Sequence, residues 1–487
     1  MSSLPRDLKP APDALRPAVE NMRVESYLRA GAGAHGWRRW IMGWAFGWAW
    51  FDRLTLFMLE RIFFPTSRMW AAALVAKGSP EAFFDAVPMP RRFEDKPHLT
   101  VTLARFEEAN ARSHALESAW EKSFFGAEDS TLTQRAALEA ARLDARQSLN
   151  ITRRLFARYL TRAIPHVRLN TQTPDQAAAL YPDIAAGLAP LVPLPSPMPA
   201  VEVSRAVPGT VGRDYWLRFK SPSARLGDLV TARVHEPIGV ANPPTIILGH
   251  GVCIEFDHWR GLVDETDELV ALGFRVIRPE APWHGRRAMP NCFAGEPIIG
   301  TFPTGSLDAF TGALQEWGVL ADWAQRMSTG PLTMGGTSLG AQMAQLAADR
   351  SKDWPEALRP QALLLITHCG EISEAVLDGA LPQIFGSAED VAAKGWTPET
   401  IQSYLALLDP ARTPPIDRNR IVSVLGRFDR VTPFASGQAL VRDWDLPPEN
   451  LFIMERGHFS VPMTLIRRPA ALKRFQAIVA KLPLRGH

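Results

Sequence analysis

From about residue 200 onward, short β-branched or aliphatic runs alternate with stretches whose apolar residues recur at helical spacing. Residues 214–220 (DYWLRFK) and 228–235 (DLVTARVH) read as an antiparallel pair of strands. Further strands are expected at 245–248, 274–278, 332–334, 362–366, 421–425 and 451–454. Helical patterns at 259–272, 307–327, 339–350, 434–444 and 464–481 separate most of them. Alternation of this kind predicts an α/β fold, a mostly parallel sheet flanked by helices. Such a sheet carries its chemistry at the carboxyl ends of its strands.

The first 200 residues have a different texture. Residues 1–35 are polar and read as a flexible N-terminus, and 36–190 as a helical extension that is tryptophan-rich over 36–86. Within it, 100–165 predicts two charged helices, the second opened by Ser130 and running through Ala136, Leu138, Leu143, Leu149 and Leu155. Eight arginines between 131 and 168 (135, 142, 146, 153, 154, 158, 162 and 168) are expected to form a solvated helix face, with contact to an anionic surface as the alternative. A proline-dense passage ending at Pro199 reads as a linker or surface strap. The α/β domain is assigned to 191–487, with an insertion near 369–415 that holds helical patches of its own.

Trp37, Trp40, Trp44, Trp48 and Phe51 fall on one helical stripe. Two readings stand. The stripe packs on the α/β domain as core, or it lies in a membrane interface with Arg38 and Arg39 toward anionic headgroups. The longest uncharged apolar run, 40–51, is far short of the ~20 residues that span a bilayer. No ordinary signal peptide is recognisable. The expected location is cytoplasmic, with peripheral membrane contact through 37–51 as an option.

Composition narrows the classes. Among 487 residues, 46% are hydrophobic and 22% charged, which excludes wholesale disorder and coiled coil. A net charge of +3 is too balanced for a nucleic-acid binder. The three cysteines, Cys253, Cys292 and Cys369, have no C-x-x-C spacing, so neither a zinc site nor a disulfide framework is expected.

The strongest chemical signal follows the strand at 332–334. Gly335-Gly336-Thr337-Ser338-Leu339-Gly340 is a G-x-S-x-G motif between a strand and a helix. Only glycine fits beside a serine in so tight a turn, which lifts the hydroxyl clear of the chain. The helix that starts there aims its amides at negative charge developing on a bound carbonyl.

With this motif the chain, over roughly 200–487, resembles the alpha/beta-hydrolase superfamily, in its serine esterase and lipase-like branch. Gly426-Arg427-Phe428-Asp429-Arg430-Val431-Thr432-Pro433 is similar to that family's acid turn, and Glu455-Arg456-Gly457-His458 to its Gly-His turn. The resemblance implies a triad of Ser338, His458 and Asp429, with Glu371 as a rival acid. Gly249-His250-Gly251-Val252 resembles the family's oxyanion loop, which implies donors at Leu339 and Val252, with Gly251 and Cys253 as alternatives. It makes His250 a loop-shaping residue, and the loop Pro282-Trp283-His284-Gly285-Arg286 a buttress. Asp257-His258-Trp259 either lines the pocket or starts a helix, and His368 and Asp409 read as structural. The 369–415 insertion corresponds to a cap.

Serine at the elbow, rather than aspartate or cysteine, implies acyl transfer and needs no metal or organic cofactor. The expected substrate is a small-molecule or lipid-like ester, and the expected activity is carboxylic ester hydrolysis. An acyltransferase, thioesterase or peptidase would use the same triad, and a catalytically silent lipid-binding or scaffold module is the reading from another class. No nucleic-acid partner is expected, and the oligomeric state is left open.

Overall fold

A computed structural model describes residues 49–88, 97–127, 129–187, 192–254 and 265–485. The tryptophans at 37, 40, 44 and 48, Arg38 and Arg39, and Asp257-His258-Trp259 lie outside the described residues.

The alternating apolar runs become one ten-stranded sheet. Its strands are β1 (Glu202–Val203), β2 (Val207–Pro208), β3 (Arg213–Lys220), β4 (Leu229–Glu236), β5 (Thr245–Gly249) and β6 (Arg275–Pro279). β7 (Leu332–Thr337), β8 (Ala362–Ile366), β9 (Ile421–Gly426) and β10 (Leu451–Met454) complete it. The spatial order is β1-β3-β4-β6-β5-β7-β8-β9-β10, with β2 also on β3. β6, β5, β7, β8, β9 and β10 run parallel, while β4 is antiparallel to both neighbours. The two-residue edge strands β1 and β2 are too short to leave a periodic trace in the sequence.

Strand residues alternate between two cores because successive side chains point to opposite faces. Ile247, Leu363 and Leu365 belong to one core, while Ile246, Leu248, Leu364 and Ile366 belong to the other. Both faces are covered, as a parallel sheet requires.

The N-terminal extension is helical over its described residues. Helix α1 (Ala49–Met58) runs through a π turn, Leu59–Phe63, into α2 (Phe64–Ala76), and α3 (Pro97–Phe125) packs on α4 (Leu132–Ile151). On the α/β side, α5 (Thr304–Met327) and α6 (Leu339–Arg350) cover one face. The insertion contributes α7 (Ala380–Phe385), and α8 (Ser460–Arg467) and α9 (Ala470–Val479) cover the other face.

Four local expectations are corrected. Helix α4 is capped by Thr131, not Ser130, through a capping box with Gln134, and it gives way to a 3-10 turn at Thr152 before reaching Leu155. The single helix expected at 464–481 is two, because Pro469 supplies no N–H and α9 restarts after it. Helix α5 starts at Thr304, a turn earlier than its apolar pattern.

The fourth is the arginine face. Arg135, Arg142 and Arg153 are buried. Arg142 binds Glu139 and Glu117, and Arg233 of β4 reaches both Glu139 and Asp214. Burial of these guanidiniums is tolerable because each has hydrogen-bond acceptors: carboxylates for Arg142, backbone carbonyls for Arg135, and the Ser67 hydroxyl and Asn150 side-chain carbonyl for Arg153. The extension is also tied on by Arg68, 1% exposed, whose guanidinium pairs with the equally buried Glu296 at 2.6 Å.

Helix α1 has two unlike faces. Asp52 is buried and Phe51 half-buried, whereas Trp50, Leu54, Phe57, Met58 and Ile62 form an exposed apolar stripe with Arg53 and Arg61 beside it. No helix among the described residues is long and apolar enough to cross a membrane.

Candidate active site

Strand β7 ends at Thr337, and α6 begins one residue after Ser338. The serine therefore occupies the turn itself, at φ 58° and ψ −118°, a conformation costly for any residue with a Cβ. Surrounding packing holds it there. A Cβ at Gly336 would lie 2.4 Å from the Gly340 carbonyl carbon, and one at Gly340 would lie 2.1 Å from that of Gly249. The Ser338 N–H donates to the Ile366 carbonyl on β8 at 2.9 Å. The side chain is thus fixed at the carboxyl end of the central strands, where the alternation pattern directs attention.

His458 and Asp429 come from the turns after β10 and β9. The His458 Nδ1–H donates to Asp429 Oδ2 at 2.8 Å, leaving Nε2 3.0 Å from Ser338 Oγ to accept its proton. All three side chains are buried. Asp429 Oδ1 accepts from the N–H groups of Val431 (2.9 Å) and Thr432 (3.0 Å), and the Thr432 hydroxyl sits 2.9 Å from Oδ2. Those bonds fix the carboxylate while leaving it able to orient the imidazole. Thr432 was not singled out from the sequence, although the D-x-x-T spacing that lets its hydroxyl reach back was visible in the acid turn.

Glu371 is elsewhere. It is partly exposed and pairs with Arg412, which also holds Asp443 at 3.0 Å. Asp409 accepts the Ile372 N–H at 2.6 Å, and burial pushes its carboxyl up to about 6. His368 is fully buried between Gln345 and Ser423, each at 2.8 Å, and burial pulls its imidazole down to about 4.

The loop after β5 brings Val252 beside Ser338 and Leu339 in one cleft. Neither the Val252 nor the Leu339 N–H donates to a protein atom among the described residues. Cys253, the alternative donor, has its N–H engaged by His284 Nε2 at 3.2 Å. His250 accepts the Ala281 N–H at Nε2 (3.1 Å) and holds the Gly251 carbonyl through Nδ1 (2.8 Å). The two imidazole rings meet edge to face at 4.8 Å and clamp the loop from below.

The cleft is open to solvent and has a cavity volume of about 100 Å³. Ile298, Phe310, Ile372, Val376, Leu381 and Phe385 give it an apolar wall, four of the six coming from the 369–415 insertion. Phe385 in turn packs on Phe64 of α2 at 4.7 Å, so the extension buttresses the wall from outside.

A residue not anticipated from the sequence closes the histidine turn. Asp52 of α1 accepts the N–H groups of Phe459 (2.7 Å) and Ser460 (3.3 Å) and the Ser460 hydroxyl. The available signal was its position as the only acid between Trp37 and Leu59.

No family model and no curated protein matches the chain. Solved structures do. TT1662 from Thermus thermophilus is 22% identical over 52% of this chain and 94% of its own, with a TM-score of 0.36. Acetyl xylan esterase 1 from Thermoanaerobacterium sp. JW/SL YS485 is 14% identical over 64% and 96%, at 0.44. An S-formylglutathione hydrolase from Agrobacterium tumefaciens is 13% identical over 56% and 98%, at 0.39. What identifies the architecture is internal to the chain. A mostly parallel sheet carries a strained serine between strand and helix, and an aspartate and then a histidine follow it in chain order on the turns after later strands. By this arrangement the chain has the alpha/beta-hydrolase fold.

Proposed function

We propose that this protein is a serine hydrolase that cleaves carboxylic esters with an apolar acyl part. The observation that carries the reading is the unbroken line Ser338 Oγ–His458–Asp429 at the base of an apolar cleft. Ser338 attacks the ester carbonyl while His458 takes its proton, and Asp429 stabilises the imidazolium. The Leu339 and Val252 N–H groups receive the oxyanion. His458 then gives its proton to the leaving alcohol, and water repeats the sequence on the acyl-enzyme. A fluorophosphonate probe should label the wild type and not Ser338→Ala, and a panel of esters of graded chain length should show turnover that rises with acyl length. Equal labelling of both proteins would end this reading.

The exposed stripe on α1 supports a lipid-like substrate met at a surface. Trp50, Leu54, Phe57 and Met58 present apolar area, and Arg53 and Arg61 on the same side match anionic headgroups. This reading makes the protein cytoplasmic and peripherally bound.

A further inference from the structure

We propose that Asp52 is a positioning residue for His458, which makes α1 a working part of the hydrolase site. The inference rests on the serine hydrolase reading above.

Helix α8 starts two residues after His458, and its N-cap residue, Phe459, has no side chain able to accept the helix's first N–H groups. Those groups need an acceptor. Asp52 supplies it from a neighbouring helix that lies 407 positions away in the chain. Its Oδ1 accepts from Phe459 and Ser460, and its Oδ2 from the Ser460 hydroxyl. That hydroxyl oxygen accepts the Gly457 N–H at 3.0 Å. The residues immediately before and after His458 are therefore both fixed through one carboxylate.

The packing is equally specific. A Cβ at Gly457 would lie 2.5 Å from the Asp52 carboxyl carbon, so the turn is glycine where the carboxylate rests on it. Asp52 is buried, and each hydrogen bond the structure gives it goes to residues 459 and 460. A carboxylate is not buried without compensation, and here the compensation is the histidine turn. The imidazole has to stay within hydrogen-bond reach of two partners on separate elements, Ser338 and Asp429. A displacement of about 1 Å in such a group costs on the order of 100-fold in rate.

The test uses full-length Asp52→Asn and Asp52→Ala with a short-chain ester, well below the melting temperature. Turnover is expressed per site titrated with a fluorophosphonate, so unfolded molecules do not count. Asparagine keeps an acceptor for the Phe459 N–H and alanine keeps none. We expect kcat to fall roughly 10-fold in the first and 100-fold in the second, with KM within about threefold of wild type. The His458 imidazole resonance, followed by NMR in histidine-labelled protein, should shift in Asp52→Ala. Undiminished kcat per titrated site together with an unmoved resonance would overturn the proposal. Should the wild type itself resist labelling, the hydrolase reading fails, and the resonance alone still decides whether Asp52 holds His458.

Discussion

Gly340 and Gly249 meet backbone to backbone: a Cβ on Gly340 would fall 2.1 Å from the Gly249 carbonyl carbon. That contact sets the first turn of α6 on the end of β5, and so fixes the spacing between Leu339 and the Val252 loop. Gly340→Ala should push the two apart. Overpacking of this kind costs about 1–3 kcal/mol, and misalignment of the proposed oxyanion donors should add a 10²-fold or larger drop in kcat. Calorimetry and ester kinetics on one preparation check both. A melting temperature and kcat equal to wild type would show that the contact can relax.

Asp429 and Glu371 are separated cleanly by their surroundings. Asp429→Asn should lower kcat by roughly 10³–10⁴-fold, because the amide favours the wrong imidazole tautomer. Glu371→Gln breaks only a solvent-exposed pair with Arg412 and should leave kcat within about twofold. Steady-state kinetics of the two variants distinguish the assignments, and a crippled Glu371→Gln beside a mild Asp429→Asn would move the acid to the earlier strand.

Local patterns carried the fold a long way. The run at 332–334, the glycines around Ser338 and the helix at 339–350 can be read directly, because strand, tight turn and helix each impose a period or residue type of their own. Helix ends were less visible. Ser130 and Thr131 are both good caps, and only the reach of Gln134 chooses between them. Arg142 looks like any arginine of a solvated helix until Glu117 and β4 close over it. Asp52 is the extreme case, since its meaning depends on Ser460, which no short-range pattern connects to it.

His368 provides a pH signature. Burial lowers its imidazole to about 4, so the folded protein holds it neutral while the unfolded chain binds a proton near 6.5. As pH falls from about 6.5 toward 4 the unfolded state gains protons first, and stability is lost over that window by on the order of 3 kcal/mol. Replacing the ring by the uncharged amide in His368→Gln should flatten this part of the curve. Denaturant midpoints at pH 7.5 and pH 4.5 for both proteins measure it, and parallel declines would remove His368 as the cause.

The α1 stripe predicts reversible attachment to anionic lipid. Burying Leu54 and Phe57 would contribute about 1.5–3 kcal/mol each. Leu54→Ser with Phe57→Ser should abolish co-sedimentation with vesicles containing anionic phospholipid while leaving the melting temperature unchanged, as both side chains are exposed. A lower melting temperature, or a change from dimer to monomer in solution with no vesicle binding by the wild type, would assign the stripe to protein contact instead.

The Asp52–Ser460 bond also has a history within each molecule. Helix α1 leaves the ribosome 407 residues ahead of Phe459, an interval of roughly 20–80 s at ordinary elongation rates. Throughout that time the carboxylate has no turn to close, and the nascent chain already holds Ser338 without His458. On the proposed serine hydrolase reading, activity arrives late in synthesis, when two distant stretches of the polypeptide dock.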